Sequence, residues 1–410
     1  MNIQGLAIKG KWSPQWQPVV DAFAANFNEG EQGAGVALYH GGELVVNIWA
    51  GERSNRLAAI SSQPWAEDTI VNIFSAGKGL VALCVLQLVA QGELNVDSPI
   101  ANYWPEFAQG DKAKITVRDV LSHRSGLSAF HQHIADDQIF NWSAMTAAAA
   151  SETPWWEPHT GQGYAPFMYG WILGELVRRV SGYASFNDYF QAQVAAPLGV
   201  TCYFGVPDSA LNAIADTGPL KRTIAATKGA ATESNGADSV ALGKLMKADP
   251  RGVTNRAFCN PISLMTATNT QAWRQAQIPA ANAHANAQAI AAIYGALSCG
   301  DGAHGANGQL LPADILSLCS QEQTFGHDQV LGLPLRFSCG FMLSQADRAD
   351  CRYGRGVHAF GHPGAGGCIG FADPDYQLGF GYVTSRMGQN ILIDERAVRL
   401  INAAYEVLGE

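Results

Sequence analysis

The stretch NIFSAGKGL, residues 72–80, runs from a short polar entry into a long apolar segment, and the rest of the chain is read outward from it. Ser75 stands three residues before Lys78, and Gly77 and Gly79 flank the lysine. In a helix that starts at Ser75, the two side chains share one face, a turn apart. The serine then lies among unpaired backbone N–H groups at the positive helix end, a setting that favours a developing oxyanion. A serine hydroxyl is a poor nucleophile at neutral pH and needs a base beside it. A partly desolvated lysine amine has a lowered pKa and can fill that role. A helix N-cap followed by a solvated lysine fits the same residues, so Ser-x-x-Lys alone leaves both readings open.

Upstream, residues 12–30 carry apolar side chains at helical spacing and end in glycine, which predicts an amphipathic helix. Residues 33–52 hold two apolar runs around HGG, a hairpin signal. The run DTIVNIF delivers the chain to Ser75, and from there to about Gln91 the pattern is apolar almost all round, as in a central buried helix that Gly92 stops. Between roughly 110 and 300 strand signals are scarce and helical patterns recur: NWSAMTAAAASE, MYGWILGELVRRVSG, ASFNDYFQAQVAAPLG and NAQAIAAIYGAL. CGDGAHGANGQ, residues 299–309, reads as a Gly-rich surface loop. Short strands then return in FSCGFML, GCIGFAD and YQLGFGYVTS, before a terminal helix in IDERAVRLINAAYEVL. Strands at both ends with helices between predict residues 1–110 plus 300–410 as a mixed α/β domain and residues 111–299 as a mostly helical insertion. An active site in the cleft between the two lobes follows as an expectation.

Composition narrows the function classes. With 410 residues, 47% hydrophobic and 15% charged, the chain can bury a large core. A net charge of −9 without a Lys/Arg cluster argues against a nucleic-acid partner. The longest strongly apolar run, LVALCVL, is far too short for a membrane span. The N-terminus lacks the apolar core of a secretory signal, and eight scattered cysteines without CxxC pairing read as free thiols, so a cytoplasmic location is expected.

Two further segments bear on Ser75. One is TPWWEPHTGQGYAPFMYG, with Tyr164-Ala165-Pro166. The other is AFGHPGAGGCIGFADPDYQLGFGYVTS, a Gly-rich entry followed by strands. Together the three resemble, in order, the signature regions of the serine β-lactamase-like hydrolases with the penicillin-recognising fold, in particular class C β-lactamases and family VIII carboxylesterases. Ser75 and Lys78 match Ser-x-x-Lys, Tyr164 opens the Tyr-x-Asn position, and His362-Pro363-Gly364 stands at Lys-Thr-Gly. QGELNVDSPIANYWPEF, VRDVLSHRSGL and FADPDYQLGFGYVT are similar to the family as well, so the resemblance covers roughly residue 36 to the C-terminus.

The resemblance implies an α/β (α+β) fold of β-lactamase/transpeptidase type: an antiparallel sheet flanked by helices, with an inserted all-helical lobe. It also implies roles. Ser75 attacks an acyl carbonyl and forms an acyl-enzyme, and Lys78 and Tyr164 share the proton traffic, the identity of the base being open. A Tyr164 phenol depressed by an adjacent ammonium could serve as that base. The backbone N–H groups of Ser75 and Ala365 form the oxyanion hole, water deacylates the enzyme, and neither a metal nor another cofactor is called for.

The departures from the family pattern point to the substrate. Pro166 replaces the Asn whose amide would hold a substrate carbonyl and the lysine. His362 replaces the Lys whose fixed cation meets a β-lactam carboxylate. Pro363 removes a ladder donor from the oxyanion strand beside Gly364. Both substitutions at the carboxylate clamp favour neutral small-molecule esters, hence a serine carboxylesterase acting on short-to-medium acyl chains. The alternatives are a β-lactamase, a D-amino-acid peptidase or other small-amide hydrolase, an acyltransferase, or a non-catalytic binding member of the fold. Trp155 and Trp156 are candidates to line an acyl pocket. His123 reads as a structural turn residue, HQH at 131–133 as a loop or pocket rim with no carboxylate-framed metal motif, and GAGGCIG as turn glycines rather than a phosphate loop. No G-x-S-x-G elbow is present. The oligomeric state has no signature in the sequence.

Overall fold

Two glycines at the tip of HGG, Gly41 and Gly42, both adopt positive φ, and they close the hairpin on which the main sheet is built. In the computed structural model, which describes residues 2–3, 5–219, 237–299 and 310–410, the N-terminal part supplies β1 (Lys9–Trp12), β2 (Gly33–His40), β3 (Glu43–Asn55), β4 (Ile60–Pro64) and β5 (Ile70–Asn72). The middle supplies β6 (Cys202–Phe204), β7 (Ile214–Ala215) and β8 (Ala283–Ala285). The C-terminal part supplies β9 (Thr324–His327), β10 (Pro334–Phe337), β11 (Met342–Leu343), β12 (Phe360–Pro363), β13 (Ile369–Asp373) and β14 (Leu378–Thr384). Among the described residues the large sheet has ten strands, ordered β9-β10-β11-β12-β13-β14-β2-β3-β1 with β4 on β3. The two ends of the chain meet where β14 pairs antiparallel with β2, from Leu378 opposite His40 to Thr384 opposite Ala34.

The helices are α1 (Gln17–Asn28), α2 (Gly77–Ala90), α3 (Val117–Leu121), α4 (Trp142–Ser151), α5 (Met168–Ser181), α6 (Ala287–Ser298) and α7 (Glu395–Leu408), with shorter ones between. On one face of the sheet α1 and α7 pack over Val36, Leu38, Phe371, Phe380 and their neighbours. On the other lies α6, which the sequence reading assigned to the helical insertion. Its approach explains the glycines of LGFGYVT: a Cβ on Gly379 would stand 2.2 Å from Gly295 N, and one on Gly381 would stand 2.4 Å from Ala287 O. Side chains at those positions would push the helix off the strand.

Every residue of α2 from Gly77 to Leu88 is buried, as its apolar pattern predicts, and α2 packs against α5 in the helical layer. Strands β6, β7 and β8 fell outside the sequence reading. At two or three residues each they are too short to show a period, yet with β5 they form a second sheet ordered β6-β8-β5-β7. The loop expected at 299–309 lies outside the described residues except for Cys299. None of the eight cysteines is in a disulfide.

Candidate active site

The small sheet aims the turn that carries Ser75. Ile73 N donates to Ala283 O at 2.8 Å, extending the β5–β8 pairing by one residue beyond Asn72 opposite His284. The chain then turns sharply: Phe74 has φ +50°, a strained conformation for a bulky side chain. Phe74–Ala76 form a 3₁₀ turn and α2 starts at Gly77, so Ser75 sits just before the helix rather than as its first residue. The flanking glycines permit close packing around the lysine. A Cβ on Gly77 would lie 2.9 Å from Ala283 Cβ, and one on Gly79 would lie 2.2 Å from Tyr294 Oη.

Lys78 is fully buried and its Nζ has three partners: Ser75 Oγ at 3.1 Å, Pro166 O at 2.7 Å and Ala280 O at 2.9 Å. Burial holds its pKa well below the ordinary lysine value. A neutral amine suits this setting: its two N–H groups go to the two carbonyls and its lone pair faces the Ser75 hydroxyl. The N-cap reading with a solvated lysine is thereby excluded. Pro166 lacks the amide of an Asn, as the sequence shows, but its main-chain carbonyl takes over the contact with the lysine.

Tyr164 is also buried, with its ring centre 4.8 Å from Lys78 Nζ and the Ser75 side chain near its hydroxyl. Burial pushes the phenol pKa up, against the lowering effect of the Ser75 side chain. This reverses the expectation of a phenol depressed by a neighbouring ammonium. Desolvation moves both groups toward their neutral forms, an amine with a lone pair and a phenol that keeps its proton.

His362, at 1% exposure, closes the cluster with its ring 6.0 Å from that of Tyr164. Its Nδ1 bonds Pro363 O at 2.8 Å, which places the proton on Nδ1 and leaves a lone pair on Nε2, buried without a partner. Burial first, and Lys78 second, push its pKa down to about 3. The imidazole is neutral, so the fixed cation of the Lys that it replaces is lost.

Past Pro363, which ends β12 opposite Ile369, Gly364 N donates to Cys368 O at 2.6 Å, Gly366 N to Asn390 O and Gly367 N to Gly364 O. The Ala365 N–H between them has no partner among the described residues, and neither has the Ser75 N–H. Gly364 brings the two together: a Cβ there would stand 2.2 Å from Ile73 O and 3.4 Å from Ala76 N. Two N–H groups without a partner among the described residues thus lie on adjoining segments at the Ser75 turn.

A family model described as Beta-lactamase matches residues 20–403. The chain belongs to the β-lactamase family. It is 28% identical over 397 residues to the esterase/beta-lactamase LipL of Mycobacterium tuberculosis, covering 96% of this chain and 86% of that one. A crystal structure of a family VIII carboxylesterase superposes with a TM-score of 0.85 at 35% identity, covering 98% of this chain and 100% of the other. A penicillin-binding protein homologue from Caulobacter crescentus does so with a TM-score of 0.83 at 32% identity, covering 98% and 100%. The chain is accordingly a hydrolase of the serine β-lactamase/esterase family.

Not every candidate of the β-lactamase-family reading gathers at Ser75. Trp155 donates Nε1 to Ala129 O at 2.8 Å and stacks on His131 at 4.0 Å. Trp156 packs against Gly163 and borders a cavity of about 530 Å³ together with Ile115, Pro154 and His159; Ser75 is absent from its lining. His131 of HQH bonds Glu152 at 2.6 Å, and the described residues hold no group of three His, Cys, Asp or Glu fit for a metal. Nor is any helix among them long and apolar enough to cross a membrane. Two contributors had no signal in the sequence. Ala280 acts through its carbonyl, which any residue possesses. Asp328 is buried and accepts from Tyr164 N at 2.7 Å and from Val330 N and Leu331 N at 2.9 Å each.

Proposed function

We propose that this protein is a serine carboxylesterase that cleaves short-to-medium acyl esters through an acyl-enzyme on Ser75. The observation that carries the reading is the buried Lys78 amine, 3.1 Å from Ser75 Oγ with its N–H groups committed to two carbonyls. As Ser75 Oγ attacks the ester carbon, its proton passes to Lys78 Nζ and the carbonyl oxygen gains charge beside the Ser75 and Ala365 N–H groups. Collapse of the adduct breaks the ester C–O bond. The Tyr164 hydroxyl gives its proton to the leaving alkoxide and recovers one from the Lys78 ammonium, which restores the amine. Water then repeats the sequence on the acyl-enzyme and releases the carboxylic acid. His362 and Gly364 border the acyl site. The neutral His362 offers no fixed cation to a substrate carboxylate, which supports uncharged esters over β-lactams.

The test pairs p-nitrophenyl acetate, butyrate and octanoate with a chromogenic cephalosporin, for the wild type and Ser75→Ala. Ester turnover abolished by the substitution is the expected result, with the cephalosporin a poor substrate. Turnover that survives in Ser75→Ala sinks the nucleophile, and rapid cephalosporin hydrolysis with feeble ester cleavage replaces the substrate class.

A further inference from the structure

The segment that carries Tyr164 is tied down on both sides of the tyrosine. Ahead of it, the peptide N–H of Tyr164 itself donates to Asp328 Oδ2 at 2.7 Å. Behind it, the N–H of Ala165 donates to His123 Nδ1 at 3.2 Å. The peptide planes before and after the Tyr164 Cα are thus each held by a buried side chain. Those two planes set φ and ψ of Tyr164, and with them the direction in which its Cα–Cβ bond points.

His123 is built for the second contact. It lies in the left-handed region at φ +58°, and its main-chain oxygen also accepts from Gly163 N at 2.9 Å. An Nδ1 that accepts a hydrogen bond carries no proton, so the imidazole is the neutral tautomer protonated on Nε2. The ring packs among Tyr164 at 5.0 Å, Tyr169 at 5.1 Å and Phe337 at 4.7 Å between centroids. Burial, with Lys78 and His362 adding to it, keeps the pKa of His123 well below the ordinary value, so the acceptor persists in mild acid.

We propose that His123 is a positioning residue: its Nδ1, by accepting the Ala165 N–H, aims the Tyr164 phenol at Ser75. The inference rests on the reading of Ser75, Lys78 and Tyr164 as the reacting groups. Displacement of a reacting group by about 1 Å costs on the order of 100-fold in rate. Loss of this bond therefore falls on kcat, while substrate binding, and with it KM, changes little.

Three substitutions separate the acceptor from the backbone and from the ring. His123→Asn places Oδ1 as many bonds from Cα as Nδ1 and tolerates left-handed φ. His123→Gly keeps the backbone conformation without an acceptor, and His123→Phe keeps a ring without one. With p-nitrophenyl butyrate, kcat is expected near wild type in the Asn variant and about 10- to 100-fold lower in the Gly and Phe variants, measured on protein shown to be folded by circular dichroism. Full activity in Asn and Gly together would assign the role to backbone conformation, full activity in Phe alone would assign it to ring packing, and equal activity in all three would leave the acceptor no role; each overturns the proposal. Should the Gly variant not fold, Phe as active as Asn still overturns it. Tyr164→Phe is run alongside. Unchanged kcat there defeats the reading of Tyr164 itself, whereas loss there with full activity in all His123 variants defeats only the positioning role.

Discussion

At the residue scale, burial decides the charge of each group around Ser75, and charge decides the role proposed for it. Lys78 has two carbonyls and a hydroxyl around Nζ and no carboxylate bonded to it among the described residues, so an ammonium there has hydrogen bonds but no such counter-charge to offset desolvation. Lys78→Arg keeps a cation that cannot lose its proton. It is expected to lower kcat/KM for p-nitrophenyl butyrate by about 10²- to 10⁴-fold, as much as Lys78→Ala does. Rescue of rate in the arginine variant would show that the charge, and not the base, matters. For the wild type, the rate of acylation should rise with pH as the amine of Lys78 becomes free, along a limb well below 10.5, and His362 with a pKa of about 3 should add no ionisation at neutral pH. A stopped-flow pH profile of the acylation burst measures both. The pairing of Ser75 with Lys78 was legible from their spacing. The protonation states were not, because they depend on carbonyls that lie 88 and 202 residues away in sequence.

At the scale of elements, close packing fixes where the site sits. Gly79 lets α2 approach Tyr294 of α6 and Phe341: a Cβ would stand 2.2 Å from Tyr294 Oη and 2.9 Å from the Phe341 ring. Gly79→Ala is therefore expected to destabilise by about 1–3 kcal/mol, read as a lower midpoint in urea. Gly77→Ala, whose Cβ would stand 2.9 Å from the Ala283 methyl, 3.3 Å from the Phe204 ring and 3.4 Å from Pro279 O, should cost less. The β9–β10 hairpin carries Asp328 to the Tyr164 loop, and here the linkage has an uncommon sign. Burial outweighs three backbone N–H donors and raises the carboxyl from 3.8 to about 6. Between those values the folded chain holds a proton that the unfolded chain has released. The group's contribution is full below about pH 4 and is lost as pH rises through about 6, a change of roughly 3 kcal/mol. Asp328→Asn should flatten that part of the stability–pH curve; an unchanged slope in denaturation series from pH 4 to 7 would disprove the assignment. Helices α1, α5 and α7 were legible because their apolar periods run over three or more turns, and α2 because its apolar run is as long. Strands β6, β7 and β8 were not, since two or three residues carry no period and owe their form to the strands beside them.

At the scale of the whole molecule, the two ends of the chain are locked to each other by charge as well as by β-pairing. Glu31, just ahead of β2, accepts from Tyr382 at 2.9 Å, Thr384 at 2.7 Å and Arg396 at 2.6 Å, and Arg396 also bonds Asp394 and the Gly366 carbonyl at 2.7 Å each. Glu31 and Arg396 are both buried. Glu31→Ala leaves the Arg396 charge with one acidic partner in place of two and is expected to cost about 3–5 kcal/mol in equilibrium unfolding, whereas a loss under 1 kcal/mol would show that solvent reaches the guanidinium. By itself the sequence determined what is local or carried by ordered motifs: the Ser75–Lys78 spacing, the buried α2, the HGG hairpin, and the three segments whose order matches the family. Only the tertiary structure decided that Lys78 is a buried amine rather than a solvated charge, that burial raises the Tyr164 phenol, that His362 is neutral, and that Pro166 and Ala280 meet Lys78 through their carbonyls. The physical reason is that spacing along a helix is a property of neighbouring residues. Desolvation and hydrogen-bond partnership are properties of a point in space, and at Ser75 that point is enclosed by segments from both ends and the middle of the chain.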